Sequence, residues 1–225
     1  MTFVQKARIF KSFQRESLLS RTNECKSVPC GNYAHELGIL KNFDDEIVAP
    51  NATKSYRMVA GESMIIFPLV ESFKVEFNNK TVSLKPEELI IIPHSETPTL
   101  NIINAHQSKL INYLIIKVEK ELNFNHIKSN YLKYNYFNDL FKSESLNISF
   151  GVFDGREEAT YQMTSPHHLL FTHVINGAFE FQNRLLESKD SLSLEGFDTV
   201  EMESLSENAI ILLCELSSSA LNTVN

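Results

Sequence analysis

The stretch Val75-Glu76-Phe77-Asn78-Asn79-Lys80 decides the fold, because it returns in the second half of the chain as Phe179-Glu180-Phe181-Gln182-Asn183-Arg184. In the first copy, apolar and polar residues alternate up to two Asn residues, which tolerate positive φ, so this stretch predicts a β-hairpin. Both copies continue through a second strand-like segment, a charged turn (85–88 and 189–191) and an apolar strand. Because the match extends through the turn, it favours a duplication over a chance likeness between two hairpins.

Strand-like patterns fill most of the chain on either side of the repeat. Leu89–Ile92 and Ile111–Val118 are continuous apolar runs, typical of strands buried on both faces. The Asn- and Tyr-rich segment 119–140 predicts an irregular helix or a connecting loop instead. Two similar all-β halves predict two β-barrel or jelly-roll-like lobes. We expect an N-terminal lobe at 1–120, a connecting segment at 121–145 and a C-terminal lobe at 146–225.

The charge balance of the chain is acidic. Its 225 residues include 28 acidic and 21 basic side chains, for a formal net charge of −7, and they show no basic stripe. Because phosphate backbones and anionic membrane surfaces attract basic proteins, we expect neither nucleic acid nor a membrane as partner. Apolar stretches such as 64–70 are also too short to span a bilayer. The expected partner is a small molecule or a protein, and unpaired edge strands favour a homodimer.

Three cysteines, Cys25, Cys30 and Cys214, indicate a reducing compartment, since they leave an odd thiol and show no CxxC spacing. Cys25 and Cys30 are close enough in sequence either to pair or to bind a metal. The first 20 residues carry four basic side chains and no long apolar core, which argues against a secretory signal. We therefore expect a cytoplasmic protein.

The segment 84–96, Leu-Lys-Pro-Glu-Glu-Leu-Ile-Ile-Ile-Pro-His-Ser-Glu, resembles the second conserved motif of cupins, in which a Pro-Gly-Asp-like turn leads into a strand, a proline and a histidine. Its last three residues, 94–96, are similar to the segment that supplies the last His and Glu metal ligands in pirins and bacterial quercetin 2,3-dioxygenase-like proteins. The acidic segment 42–49 and the segment 153–157 resemble two further parts of that family. The chain thus resembles a diverged pirin-like bicupin, which implies an all-β fold of two cupin lobes.

The resemblance also implies a metal site, and this site has lost ligands. The family draws two histidines from a His-Pro-His-like stretch that falls here at Tyr56-Arg57-Met58, and no histidine occurs between His35 and His94. His94 and Glu96 are then either a residual metal site or a plain His–carboxylate pair on one face of an extended segment. A transition metal such as iron, nickel, copper or manganese needs three or four protein ligands, so we expect no cofactor.

The residues at the lost ligand positions have an alternative use. Tyr56, Arg57 and Met58 would line a small-molecule pocket, with Arg57 binding the carboxylate of an anionic ligand. Three further histidines, His167, His168 and His173, precede and enter a strand without an acidic partner at the spacing of a cupin. We expect them to be surface histidines or histidines with satisfied hydrogen bonds.

Three functions remain open from the sequence. The missing histidine pair favours a small-molecule-binding or regulatory protein with a degraded metal site and no dioxygenase activity, since fold does not fix function. A metal-dependent oxidoreductase of the quercetin 2,3-dioxygenase type would need replacement ligands. A metal-independent isomerase or lyase would use His94 as its catalytic acid or base, with Glu96 orienting the imidazole.

Overall fold

The computed structural model describes residues 4–34, 36–128 and 132–217, and strands dominate them. Two short 3₁₀ turns also occur in these residues, at Ser12–Gln14 and Cys30–Tyr33. No helix of the described residues is long and apolar enough to cross a membrane. In chain order the strands are β1 (Lys6–Phe10), β2 (Glu16–Leu19), β3 (Asn23–Val28), β4 (Leu40–Val48), β5 (Ala52–Arg57), β6 (Ser63–Val70), β7 (Phe73–Phe77), β8 (Lys80–Leu84), β9 (Glu88–Pro93), β10 (Thr99–Asn104), β11 (Ile111–Val118), β12 (Asn125–Lys128), β13 (Asn138–Lys142), β14 (Leu146–Phe153), β15 (Glu158–Gln162), β16 (Leu169–Asn176), β17 (Ala178–Phe181), β18 (Leu185–Glu187), β19 (Ser191–Glu195), β20 (Thr199–Ser204) and β21 (Ala209–Leu216).

The repeated hairpins form as predicted. Strands β7 and β8 pair through a turn at Asn78 and Asn79, whose φ angles are 45° and 59°. Gln182 and Asn183 occupy the corresponding turn between β17 and β18, with φ angles of 48° and 58°. Two consecutive residues with positive φ characterise a type I′ turn, whose twist matches that of the flanking strands.

The N-terminal unit comprises Arg15–Ala34 and Leu40–Ser129. Its seven-stranded sheet has the order β12-β9-β6-β11-β4-β3-β2, and its four-stranded sheet has the order β5-β10-β7-β8. Because side chains alternate along each strand, one face of each sheet turns to a shared core. This apolar core includes Val48, Met64, Ile66, Phe73, Val75, Phe77, Ile90, Ile92, Leu100, Ile102, Tyr113 and Ile115.

The C-terminal unit comprises Met1–Gln14, His35–Ile39 and Asn130–Asn225. Its six-stranded sheet has the order β1-β19-β16-β21-β14-β13, and its four-stranded sheet has the order β15-β20-β17-β18. The core of this unit is richer in aromatic rings. It includes Phe137, Phe153, Tyr161, Leu170, Val174, Phe179, Phe181, Leu192, Val200, Met202, Ile211 and Leu213.

The strand orders confirm the duplication. The order β9-β6-β11-β4 of the N-terminal unit recurs as β19-β16-β21-β14, and β5-β10-β7-β8 recurs as β15-β20-β17-β18. The registers agree as well, since Asp44 opposes Ile115 in one unit as Ser149 opposes Leu213 in the other. The predicted all-β fold of two cupin lobes is therefore confirmed, and each lobe is a two-sheet jelly roll rather than a closed barrel.

Two parts of the chain differ from the expected layout. Strand β1 pairs with β19, so the N-terminal strand completes the C-terminal unit. The segment 121–145 contains β12 and β13, each of which adds an edge strand to a sheet, while its residues 129–131 lie outside the described residues. An edge strand pairs on one side only and needs no strict polar–apolar alternation, which explains why this Asn- and Tyr-rich sequence did not indicate strands.

Candidate functional site

His94 and Glu96 lie in the turn that follows β9. The carboxylate of Glu96 pairs with Lys80 rather than with His94. The carboxylate of Glu121 accepts a hydrogen bond of 2.8 Å from the N–H of Ser95, and His94 contributes to the lowered pKa of this carboxyl. In the described part of the chain, no third His, Cys, Asp or Glu joins His94 and Glu96 in a ligand cluster. These two residues therefore do not fit the metal site that the resemblance implies.

The three residues predicted to line a pocket are divided between two faces of β5. Tyr56 turns inwards, and its hydroxyl oxygen lies 2.9 Å from that of Tyr113. Met58, just beyond the strand, is buried in the same core. Arg57 lies between them in sequence, on the opposite face, and is exposed. The structure places Tyr56 and Met58 together in the core and Arg57 on the exposed face of the sheet.

The inward face of β5 packs against β10. Strand β10 contributes Leu100 and Ile102 to the core, where they lie beside the inward residues of β5. The polar groups on this face of β5 have partners, since Nζ of Lys54 pairs with Glu46 and the hydroxyl of Tyr56 pairs with that of Tyr113. Across residues 4–34, 36–128 and 132–217, three potential metal ligands meet at one place only. These are Cys25, Asp44 and Glu46.

In the C-terminal unit, polar side chains surround the carboxylate of Glu215 near the end of β21. The hydroxyl of Tyr161 donates to Oε2 at 3.0 Å, and the N–H of Thr164 donates to Oε1 at 2.8 Å. The hydroxyl of Thr164 also donates to Oε1. Nδ1 of His168 lies 2.8 Å from Oε1, and the amide of Asn147 approaches Oε2 at 3.4 Å. Both carboxylate oxygens are thus bonded, although Glu215 is only 1% exposed.

These hydrogen bonds decide the charge of Glu215. Burial by itself raises the pKa of the carboxyl, but the donors from Thr164, His168 and Tyr161 outweigh burial and hold the pKa below its ordinary value. Burial next to this carboxylate raises the pKa of the Tyr161 hydroxyl. At neutral pH Glu215 is therefore an ionised acceptor at the centre of the network.

A cavity of about 430 Å³ opens beside the Glu215 network. Tyr161 and Thr164 border it, so two donors of the network form part of its wall. Tyr136 and Phe137 add aromatic surface, and Tyr136 is exposed. This volume lies in the range of about 300–1,000 Å³ that is usual for small-molecule pockets.

A second, more open groove of about 590 Å³ runs along the β7–β8 hairpin. Polar and charged side chains border it almost entirely, and Phe77 is the one aromatic residue among them. Small-molecule sites need apolar surface with a few placed polar groups. The cavity of the C-terminal unit meets that need better.

The sequence does not predict the Glu215 network. His168 has no acidic partner at the spacing of a cupin, and its hydrogen bonds are satisfied by Glu215, which is 47 residues away in sequence. The available signal was the single carboxylate inside the otherwise apolar run of β21. The other two histidines behave as expected: His167 is exposed before β16, and His173 is buried with Nδ1 3.0 Å from the hydroxyl of Ser191.

Comparisons with known proteins agree with this fold. Residues 143–216 match the family model described as the quercetinase C-terminal cupin domain. YhhW from Escherichia coli is similar in structure with a TM-score of 0.80 at 11% identity, covering 95% of this chain and 98% of that chain. The bacterial pirin YhhW from Escherichia coli in complex with nickel(II) gives 0.79 at 10% identity, covering 95% and 100%. Quercetin 2,3-dioxygenase from Acinetobacter baumannii gives 0.73 at 9% identity, covering 94% and 79%. No curated protein matches the sequence.

These findings define the fold. The chain has the two-lobed cupin fold of a bacterial pirin over nearly its whole length, and its residues 143–216 match the quercetinase C-terminal cupin domain. The predicted resemblance is confirmed. At such low identities the solved structures establish the fold alone, so the activity has to be argued from this chain's own side chains.

Proposed function

We propose that this pirin-like cupin binds an uncharged, hydroxylated aromatic small molecule in the cavity beside Glu215 and does not carry out metal-dependent dioxygenation. The observation that carries the proposal is the contrast between the two units. In the N-terminal unit, Tyr56 and Met58 pack into the core at the lost ligand positions, whereas the C-terminal unit has a cavity of about 430 Å³ bordered by polar side chains.

The chemistry of the ligand follows from the walls of the cavity. Tyr136 and Phe137 offer ring faces on which an aromatic molecule can stack. Asn147 and Gln162 offer side-chain amides that hydrogen-bond to hydroxyl groups. The charged side chains of the wall favour a neutral molecule over an anion, because two of the three are acidic. These are Asp139, Lys142 and Glu158.

The surroundings of His94 support a protein without the family's oxygen chemistry. A metal that activates oxygen needs a set of convergent ligands and an open position. Here Glu96 is engaged by Lys80, and Tyr56 and Met58 stand where the resemblance would require histidines. The isomerase or lyase alternative also loses its support, since Glu96 does not orient His94.

The proposal is tested by titrating the purified protein with quercetin, a planar hydroxylated aromatic, in a calorimeter at mildly acidic pH. We expect saturable binding, and we expect Tyr136→Ala to raise the Kd about five- to tenfold through the loss of one stacking contact. Tyr134→Ala is the matched control, because Tyr134 is a neighbouring exposed tyrosine that does not border the cavity. Arg57→Ala should bind as the wild type does.

The outcome of this titration is decisive in either direction. Absence of binding, or equal affinity in the Tyr136→Ala and Tyr134→Ala variants, would overturn the proposed site. Loss of affinity in Arg57→Ala would move the site to the N-terminal unit, where the sequence first suggested a pocket.

We also propose a cytoplasmic location, which the three thiols support. Cys25, Cys30 and Cys214 are all free and buried, and free thiols are usual in a reducing compartment. A protein partner and a homodimer stay predictions from the sequence.

A further inference from the structure

Strands β3 and β4 bring a thiol and two carboxylates together on one face. Cys25 opposes Glu46 in the ladder, and Ser27 opposes Asp44. Asp44 and Glu46 are two residues apart on β4, so their side chains project from the same face of the sheet. The Sγ atom of Cys25 and a carboxylate oxygen of each acid all lie within 4.8 Å of one another.

All three side chains are buried, and one of their oxygens lacks a partner. Cys25, Asp44 and Glu46 are 5%, 8% and 2% exposed. The carboxylate of Asp44 is bonded by Ser27, but its Oδ1 atom has no hydrogen-bond partner in the described structure. A buried carboxylate oxygen without a donor costs about 1–3 kcal/mol or more, so this atom points to a missing positive partner.

Three cationic side chains, Lys117, Lys54 and Arg15, lower the pKa of Asp44, and Lys54 also forms an ion pair within the cluster. Nζ of Lys54 lies 3.3 Å from Oε1 of Glu46, and Glu46 also accepts a hydrogen bond from Tyr56. Asp44 forms no such ion pair with the described residues. The side chain of Lys54 is 24% exposed, so it reaches solvent and can move aside when a cation enters.

We propose that Cys25, Asp44 and Glu46 bind one divalent transition-metal ion, such as Zn²⁺, in the N-terminal unit. Thiolate and carboxylate together suit a borderline ion such as Zn²⁺ or Co²⁺, whereas Mg²⁺ and Ca²⁺ prefer oxygen ligands alone. The site lies on β3 and β4 and uses neither His94 nor Glu96. Its burial favours a structural role, in which the ion stabilises the sheet.

Burial also acts on the charge of the cluster. It raises the pKa of the Cys25 thiol to about 12, and it raises the pKa of Asp44 and of Glu46. Ser27 and the cations Lys117, Lys54 and Arg15 oppose this effect at Asp44. A bound divalent ion would replace the thiol proton and supply positive charge to the buried carboxylates.

The test is a titration of the EDTA-treated full-length protein with Co²⁺, followed by absorbance. We expect a thiolate-to-cobalt charge-transfer band in the near ultraviolet that saturates at one Co²⁺ per chain, is displaced by Zn²⁺ and is unaffected by Mg²⁺. Cys25→Ser should abolish the band. Asp44→Asn keeps the thiol and the side-chain shape, and it should weaken Co²⁺ binding at least about tenfold.

Two other thiols and one histidine provide matched controls. Cys30 and Cys214 are also buried and free, so Cys30→Ser and Cys214→Ser should retain the band. His94→Ala should retain it as well. Thermal unfolding of each variant identifies those that fold, and Zn²⁺ should raise the Tm of the wild type but not that of Asp44→Asn. A missing band, a band that persists in Cys25→Ser, or equal Co²⁺ affinity in folded Asp44→Asn would overturn the site.

Discussion

Replacing Glu215 by Gln changes one atom at the centre of the polar network of the C-terminal unit. In the wild type, both carboxylate oxygens accept hydrogen bonds, from Tyr161 at 3.0 Å and from Thr164 at 2.8 Å, with His168 at 2.8 Å. An amide keeps one acceptor oxygen and turns a donor group towards other donors. Since hydrogen bonds to a charged group contribute about 1.5–3 kcal/mol, we expect the free energy of unfolding to fall by about 2–4 kcal/mol.

The pH dependence of this loss has a defined direction. The pKa of Glu215 in the folded chain lies below its ordinary value of 4.5. Its stabilisation is therefore fully present above that value and is lost as the pH falls through the folded-state pKa. Wild type and Glu215→Gln should differ most at neutral pH and converge in acid.

Urea unfolding followed by circular dichroism measures both the loss of unfolding free energy and its dependence on pH. The matched control is Glu201→Gln, because Glu201 is an exposed glutamate on β20, and it should change the stability by no more than about 0.5 kcal/mol. A Glu215→Gln variant as stable as this control at pH 7 would refute the reasoning. So would a stability difference that widens as the pH falls.

Further predictions concern the two cores and the repeated hairpin. Phe179→Ala should cost about 3–5 kcal/mol in urea unfolding, since Phe179 is fully buried; a cost below about 1 kcal/mol would contradict the core assignment. Tyr113→Phe should cost about 0.5–1.5 kcal/mol in the same assay, because the hydroxyl of Tyr56 loses one of its two partners and keeps Glu46; an unchanged midpoint would contradict the hydroxyl pair. Asn79→Ala should lower the Tm through the positive φ of 59°, at about 1–2 kcal/mol, whereas Asn79→Gly should not; equal Tm values for the two variants would argue against the type I′ turn.

Patterns of neighbouring residues predicted the turns and strands whose conformation depends on those residues alone. The pair Asn78-Asn79 by itself predicts a turn, because few residue types accept positive φ. The run 111–118 predicts a central strand, because a strand buried on both faces is apolar along nearly its whole length. The repeat then extended these local assignments to a second lobe. The pairing of β1 with the C-terminal unit was not predicted, because its partner β19 lies near the other end of the chain.

The candidate site depended on non-local contacts and was harder to predict. The i, i+2 spacing of His94 and Glu96 places two side chains on one face only while the chain stays extended, and β9 ends at Pro93. Glu215 and Tyr161 are far apart in sequence and meet because β21 and β15 border the same interior. A lone carboxylate in a buried strand indicates that partners exist, but it does not name them.

We propose above that this protein binds an aromatic ligand without oxidising it. The most direct test incubates the wild type and His94→Ala with quercetin in air and quantifies bound and free quercetin by chromatography, with dissolved oxygen followed in parallel. We predict that both proteins bind quercetin, that it is recovered unaltered and that oxygen consumption does not exceed that of buffer. Oxygen-dependent loss of quercetin with the wild type that disappears in His94→Ala would contradict the account and establish a dioxygenase.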